Sequence, residues 1–153
     1  MATPQEEDRY AEALAHAEHL LGIPLERFLE PTAGEPANGA DFKRLATVQT
    51  FGAAWPRGEV LDTRTRALVS VTIAAVLGTL EPLRGQLRIA LNNGATPEEI
   101  AEVFIQIAAY AGAARAFEGY QVAAQVFAEA AQEPVIGPAP SLWTCWSIFS
   151  VVR

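Results

Sequence analysis

Asp62-Thr63-Arg64-Thr65-Arg66-Ala67-Leu68-Val69-Ser70-Val71-Thr72-Ile73-Ala74-Ala75-Val76-Leu77-Gly78 is the stretch on which the fold turns. An aspartate oxygen can accept the free amides of a first helical turn, and glycine adopts the left-handed conformation that ends one. The reading is therefore a helix from Thr63 to Leu77, capped by Asp62 and stopped at Gly78. Almost every position from Ala67 onward is apolar, which places the helix in the middle of a bundle or an oligomer. Ser70 and Thr72 break its apolar run, which falls well short of the roughly 20 residues that span a bilayer.

Working outward, Thr79 can cap a shorter helix through Leu83, Leu87, Ala90 and Leu91. Its polar face carries Arg84, Gln86 and Arg88, and it stops at Asn92-Asn93-Gly94. Thr96-Pro97-Glu98-Glu99 then combines a threonine cap, a proline whose missing N–H does no harm, and a glutamate able to bond back to the cap. The helix it opens buries Ile100, Val103, Phe104, Ile107, Ala108 and Ala111 until Gly112, and Ala113 to Glu129 supplies a last helix. On the N-terminal side, Ala11, Leu14, Ala17, Leu20 and Leu21 recur at helical spacing before Gly22-Ile23-Pro24. Pro24 to Leu29 gives another turn or two, and Pro31 to Ala40 reads as a surface loop. Asp41 is then the expected cap of a helix carrying Phe42, Leu45, Val48 and Phe51 on one face. No run alternates with period two for long enough to make a strand, so the expected class is all-α.

The 153 residues divide into a helix and loop over 1–40, a helical domain over 41–131, and a proline-rich linker with an apolar tail over 132–153. Half of the residues are hydrophobic and 19% are charged. A chain of this size buries roughly 70% of its unfolded surface in one core. The formal charge of -7 argues against nucleic acid or an anionic membrane as partner. The N-terminus is acidic where a secretory signal would be basic, and the single cysteine, Cys145, fits a reducing compartment, so the expected location is the cytoplasm. The tail concentrates Leu142, Trp143, Trp146, Ile148, Phe149, Val151 and Val152. It is expected to pack on its own domain, on a neighbouring subunit or on a protein partner.

No phosphate loop, dinucleotide glycine fingerprint, nucleophile elbow or His-Glu-x-x-His zinc motif occurs. His16 and His19 lie three apart, yet no third ligand is near, so they read as part of a solvated face and no metal is expected. Cys145 has no adjacent base and reads as a structural thiol. The arginines are more informative. Arg57 follows Trp55 and Pro56 at the entry to the apolar helix, Arg66 lies in its first turn, and Arg88 projects from the next helix. A guanidinium beside an apolar wall offers a planar fork to a carboxylate, which makes a small anionic organic molecule the expected ligand.

Phe51-Gly52-Ala53-Ala54-Trp55-Pro56-Arg57, Leu61-Asp62-Thr63-Arg64-Thr65-Arg66-Ala67-Leu68-Val69, Arg88 to Ile100, Glu102-Val103 and Tyr110-Ala111-Gly112 together resemble the carboxymuconolactone decarboxylase family over about residues 42 to 130. The resemblance implies an alkylhydroperoxidase-like all-α bundle that assembles as a homotrimer or homohexamer, with neighbouring subunits completing the site. The peroxidase branch of that superfamily carries a Cys-x-x-Cys pair where this chain has Thr79-Leu80-Glu81-Pro82, so thiol peroxidase chemistry is not expected.

The decarboxylase branch implies a lyase without metal or organic cofactor, acting on a lactone that bears two carboxylates. One carboxylate is held while the other leaves as carbon dioxide. The electrons spread into the lactone carbonyl before a proton returns, which calls for cationic anchors, an oxyanion donor and an acid. By resemblance, Arg57 and Arg66 serve anchoring or charge stabilisation, Trp55 and Tyr110 form wall or support, and Glu102 matches a family glutamate that either binds substrate or braces helices; Arg88, chosen for its charge, joins the substrate-binding set. Gln86 stands where the family commonly carries a histidine. Its amide can hydrogen-bond an oxyanion but cannot act as an acid near neutral pH. The alternative to a lyase is a divergent paralogue that serves as an oligomeric scaffold, docking a partner through its tail.

Overall fold

A computed structural model describes residues 3–132; the expected linker and tail, with Cys145, lie outside the described residues. The described residues form six α-helices: α1 Pro4–Leu21, α2 Gly39–Thr47, α3 Thr63–Leu77, α4 Leu80–Asn92, α5 Pro97–Ala111 and α6 Ala113–Gln132. A 3-10 turn, Leu25–Phe28, follows α1, and a π-helix, Val48–Ala54, continues directly from α2. Among the described residues there is no strand, so the class is all-α, as expected.

The caps of α3 and α5 are those the sequence announces. Asp62 Oδ1 accepts the Thr65 amide at 2.9 Å, and Gly78 closes α3 in the left-handed conformation at φ 70°. Thr96 and Glu99 form the reciprocal capping box on α5. Two other caps differ. Asn38 rather than Asp41 holds the N-cap position of α2, so Asp41 lies inside the first turn. Thr79 precedes α4 but its hydroxyl turns back to donate to the Ala74 carbonyl at 3.2 Å instead of capping forward.

α3 pairs with α4 and α5 with α6, while α6 crosses both α3 and α4. Val71, Ala75, Leu83, Leu87, Ile89, Ile100 and Phe104 are buried in the common core. Gly119 of α6 makes this crossing possible, because a Cβ there would sit 2.7 Å from Phe104 Cε1 and 3.3 Å from Ala75 Cβ. α3 is buried on one side only. Ala67, Val71, Ala74 and Ala75 face inward, while Ile73 and Leu77 stay 54% and 68% exposed.

Residues 1–40 do not stand apart from the rest. α1 packs on the π-helix and on α4, burying Ala13, Ala17, Leu20 and Leu21. The Asn92 side-chain amide donates to the Leu21 carbonyl at 2.7 Å, and the Asn93 amide bonds the Ile89 carbonyl of its own helix at 2.8 Å. The Asn-Asn-Gly turn thus closes α4 and also satisfies the open C-terminal end of α1.

The expected apolar face of Phe42, Leu45, Val48 and Phe51 is split by the π-helix. Phe42 and Leu45 are exposed, whereas Val48 and Phe51 are partly buried and Trp55 is buried. The wider turn rotates the residues after Thr47 relative to those before it, with the Trp55 amide bonding the Thr50 carbonyl five residues back at 3.0 Å. No signal in residue type marks where this widening begins.

Candidate functional site

The π-helix ends at Trp55-Pro56-Arg57, and the loop from there to Asp62 leads into α3. Between them lies a cavity of about 860 Å³ whose wall includes Gln49, Ala53, Pro56, Arg57, Glu59, Leu61 and Arg66. Trp55, buried in the core cluster, supports this corner from behind. Arg66 leans across the loop, and its Nη2 donates to the carbonyls of Arg57 at 2.5 Å and Leu61 at 3.3 Å. Those bonds fix the loop on which Arg57 sits. Arg66 Nε is buried and has no acceptor. The Arg57 guanidinium is exposed and has no hydrogen-bond or ion-pair partner among the described residues.

Two guanidiniums facing one cavity, one of them with an orphaned buried N–H, form an anion-binding arrangement. A carboxylate in the cavity would gain charge-assisted bonds from these two arginines. Neighbouring Arg64 has a different task. Its Nε donates to the Gly94 carbonyl at 3.2 Å and its Nη2 pairs with Glu99, tying α3 to the start of α5. The Thr96 backbone amide and then Arg64 hold the Glu99 carboxyl below its ordinary pKa.

Gln86 and Arg88 lie elsewhere in the single chain. They line a smaller cavity of about 350 Å³ with Leu21, Ile23, Phe28, Phe51 and Pro82. Gln86 Oε1 is buried there without a donor. Arg88 Nη2 pairs with Glu129 Oε2 at 2.8 Å, and Arg84 Nη1 takes Glu129 Oε1 at 2.6 Å, a clamp that joins α4 to α6. Glu102 is exposed on α5, and Tyr110, 89% exposed, sits near its end; neither lines either cavity. The sequence-chosen residues are thus brought together in two groups, Arg57 and Arg66 backed by Trp55, and Gln86 with Arg88.

A third cavity, of about 540 Å³, opens between α1 and the π-helix and is lined by Arg9, Glu12, His16, Val48, Phe51 and Pro56. It shares Ala53 and Pro56 with the Arg57 and Arg66 cavity. His16 is therefore half-buried against the π-helix and not part of a solvated face; His19 is exposed. Burial, and then the nearby His19, lowers the His16 pKa. The periodicity Arg9, Glu12, His16 was the available signal, since steps of three and four put all three on one helical face. Among the described residues no group of three or more His, Cys, Asp or Glu could hold a metal ion. No helix there is long and apolar enough to cross a membrane.

The described residues thus form an all-α bundle in which a π-helix leads into a cavity lined by two arginines. The chain belongs to the carboxymuconolactone decarboxylase family, whose model matches residues 40–125. It is 32% identical over 87 residues to the 4-carboxymuconolactone decarboxylase of Acinetobacter baylyi, a match covering 57% of this chain and 64% of that one. It is 39% identical over 85 residues to an uncharacterised 15.0 kDa protein of Paracoccus denitrificans, covering 54% of this chain and 63% of the other. The chain therefore spans a little under two thirds of each of these relatives, and the match leaves α1 outside.

Proposed function

We propose that this protein is a decarboxylase acting without metal or organic cofactor on carboxymuconolactone or a related small lactone or cyclic keto acid. The observation that carries the reading is the pair of arginines, Arg57 and Arg66, lining one cavity, with the Arg57 guanidinium left without a partner among the described residues. Family membership and the decarboxylase relative support the reaction class.

In this reading Arg66 and Arg57 hold the carboxylate that stays. The second carboxylate breaks away as carbon dioxide, its bonding pair passes into the conjugated carbonyl, and the carbon is reprotonated. The wall offers no imidazole for that last step, while the open cavity admits water. The arginines favour the transition state because the charge moving into the ring system lies within their field.

Assembly belongs to the same proposal. Phe42, Leu45, Ile73, Leu77, Ile105 and Phe117 are all exposed in the single chain. A homotrimer or homohexamer would cover these faces. The test of function is turnover of carboxymuconolactone, followed by its conjugated absorbance. Arg66→Ala is expected to lose roughly 100-fold, the scale for removing one preorganised charge-stabilising donor. Equal turnover by wild type and Arg66→Ala would remove the proposed anchor.

A further inference from the structure

The cavity between α1 and the π-helix has no assigned role, and its helical wall, Arg9, Glu12 and His16, falls outside the family match. We propose that it binds an aromatic carboxylic acid bearing a hydroxyl beside the carboxylate. This inference stands apart from the decarboxylase reading and does not need it.

The walls divide by chemistry. One side is a single face of α1 carrying a guanidinium, a carboxylate and an imidazole; the other is apolar, with Val48, Phe51 and Pro56. Arg9 and Glu12 are three residues apart on one helix, a spacing at which opposite charges commonly pair, yet they do not pair here. Among the described residues none of Arg9, Glu12 or His16 has a hydrogen-bond or ion-pair partner. Three adjacent polar groups all left open towards one cavity are arranged for a ligand.

Each group selects part of that ligand. Arg9 offers two parallel donors to a carboxylate. Glu12 accepts only, so it rejects a second carboxylate and favours a hydroxyl. His16, whose burial lowers its pKa and so favours the neutral imidazole, can donate its one ring N–H to the oxygen of that hydroxyl, whose own hydrogen goes to Glu12. An aryl ring suits the opposite wall, where Phe51 and Pro56 offer flat apolar surface. Gly52 also lines the cavity, and because a Cβ there would lie 3.3 Å from Ala13 Cβ, its absence lets α1 seat closely on the π-helix. At about 540 Å³ the cavity falls within the range of small-molecule sites.

Mandelate is the probe. With two histidines in the chain, the imidazole NMR signals of His16 are assigned by difference using His19→Gln. The expected result is a saturable shift of the His16 signals with mandelate. Phenylacetate, which lacks the hydroxyl, should bind about 2- to 10-fold more weakly, the value of one hydrogen bond. Arg9→Gln should weaken mandelate by about 10-fold or more while leaving the melting temperature unchanged, since Arg9 is exposed and unpaired. Any of three outcomes overturns the proposal: no saturable His16 shift, a shift undiminished in Arg9→Gln, or the same shift with benzyl alcohol, which lacks the carboxylate.

Discussion

Two helical glycines turn the same chemical change into opposite effects. Gly85 lies within α4 with nothing within 4 Å of where a Cβ would be, whereas a Cβ on Gly119 would meet Phe104 Cε1 at 2.7 Å. Alanine in a helix interior is favoured over glycine by about 1 kcal/mol. At Gly85 that gain is unopposed, so Gly85→Ala should stabilise by about 1 kcal/mol, which for a chain of this length raises the melting temperature by about 2–4 °C. At Gly119 the new methyl needs the Phe104 ring to retreat by about 0.7 Å to regain the 3.4 Å of ordinary contact. Ala75 Cβ and Leu83 Cδ2, at 3.3 and 3.4 Å from the same point, leave the methyl no room to move away. The ring, 4% exposed and edge-on to Tyr120 at 5.6 Å, would be pushed out of its place. Overpacking of this kind costs about 1–3 kcal/mol, so after the helical gain Gly119→Ala should destabilise by about 1 kcal/mol. Gly119→Val, which adds two further carbons and loses most of the helical gain, should cost several times more. Differential scanning calorimetry of the three variants reads the signs directly. The packing account of α6 fails if Gly119→Ala melts above the wild type.

Asn92→Asp replaces the donor that meets the Leu21 carbonyl with an acceptor, and should lower stability by about 1 kcal/mol, read from urea unfolding; an unchanged midpoint would show that α1 is not held by that turn. Acid should weaken the fold through several carboxylates at once. Asp62 is held below its ordinary pKa by the Thr65 hydroxyl and amide, Glu35 by Lys43 and Thr32, and Glu129 by Arg84 and Arg88. Groups with a lowered folded pKa bind more protons unfolded than folded, so their contribution is whole above about pH 4.5 and is lost as pH falls through the folded values. His16, lowered from 6.5, adds a loss of the same sign that begins below about pH 6.5 and is removed in His16→Gln. Melting temperatures between pH 7 and pH 3 that stay level would contradict both statements.

Most of the fold could be read from local chemistry. Asp62, Gly78 and the Thr96 box mark ends of helices because each satisfies backbone groups within a few residues, and such bonds are visible in a short stretch of sequence. The same signature stands at Thr3-Pro4-Gln5-Glu6, where it opens α1 several residues before the apolar spacing begins at Ala11. Composition was the more conspicuous feature there, and the box was legible all the same. Asp41 and Thr79 show the limit of the method. Each is a sound cap by type, but the chain already turns at Asn38, and the Thr79 hydroxyl is taken by Ala74.

The site was less legible because it depends on what lies across from what. Arg57 and Arg66 share a wall because Arg66 reaches back over nine residues to bond the Arg57 carbonyl, a contact that joins neighbours in sequence. Whether Gln86 faced the same space depended on how α4 packs on α1, which no spacing encodes; it shares a cavity with Leu21, Ile23 and Phe51 instead. Arg88 was chosen for its charge, and its Glu129 partner lies 41 residues away on another helix. The π-helix, around which all three cavities are set, has no composition of its own.

The central claim is that Arg57 and Arg66 hold one carboxylate of a substrate while another is released. Carbon dioxide trapped from carboxyl-labelled carboxymuconolactone tests this most directly, comparing wild type with Arg57→Ala, Arg66→Ala and the double variant at equal folded concentration. The account predicts stoichiometric release by the wild type and a fall of roughly 100-fold or more when Arg66 is lost. Absence of release by the folded wild-type protein, or release by the double variant at the wild-type rate, would contradict it.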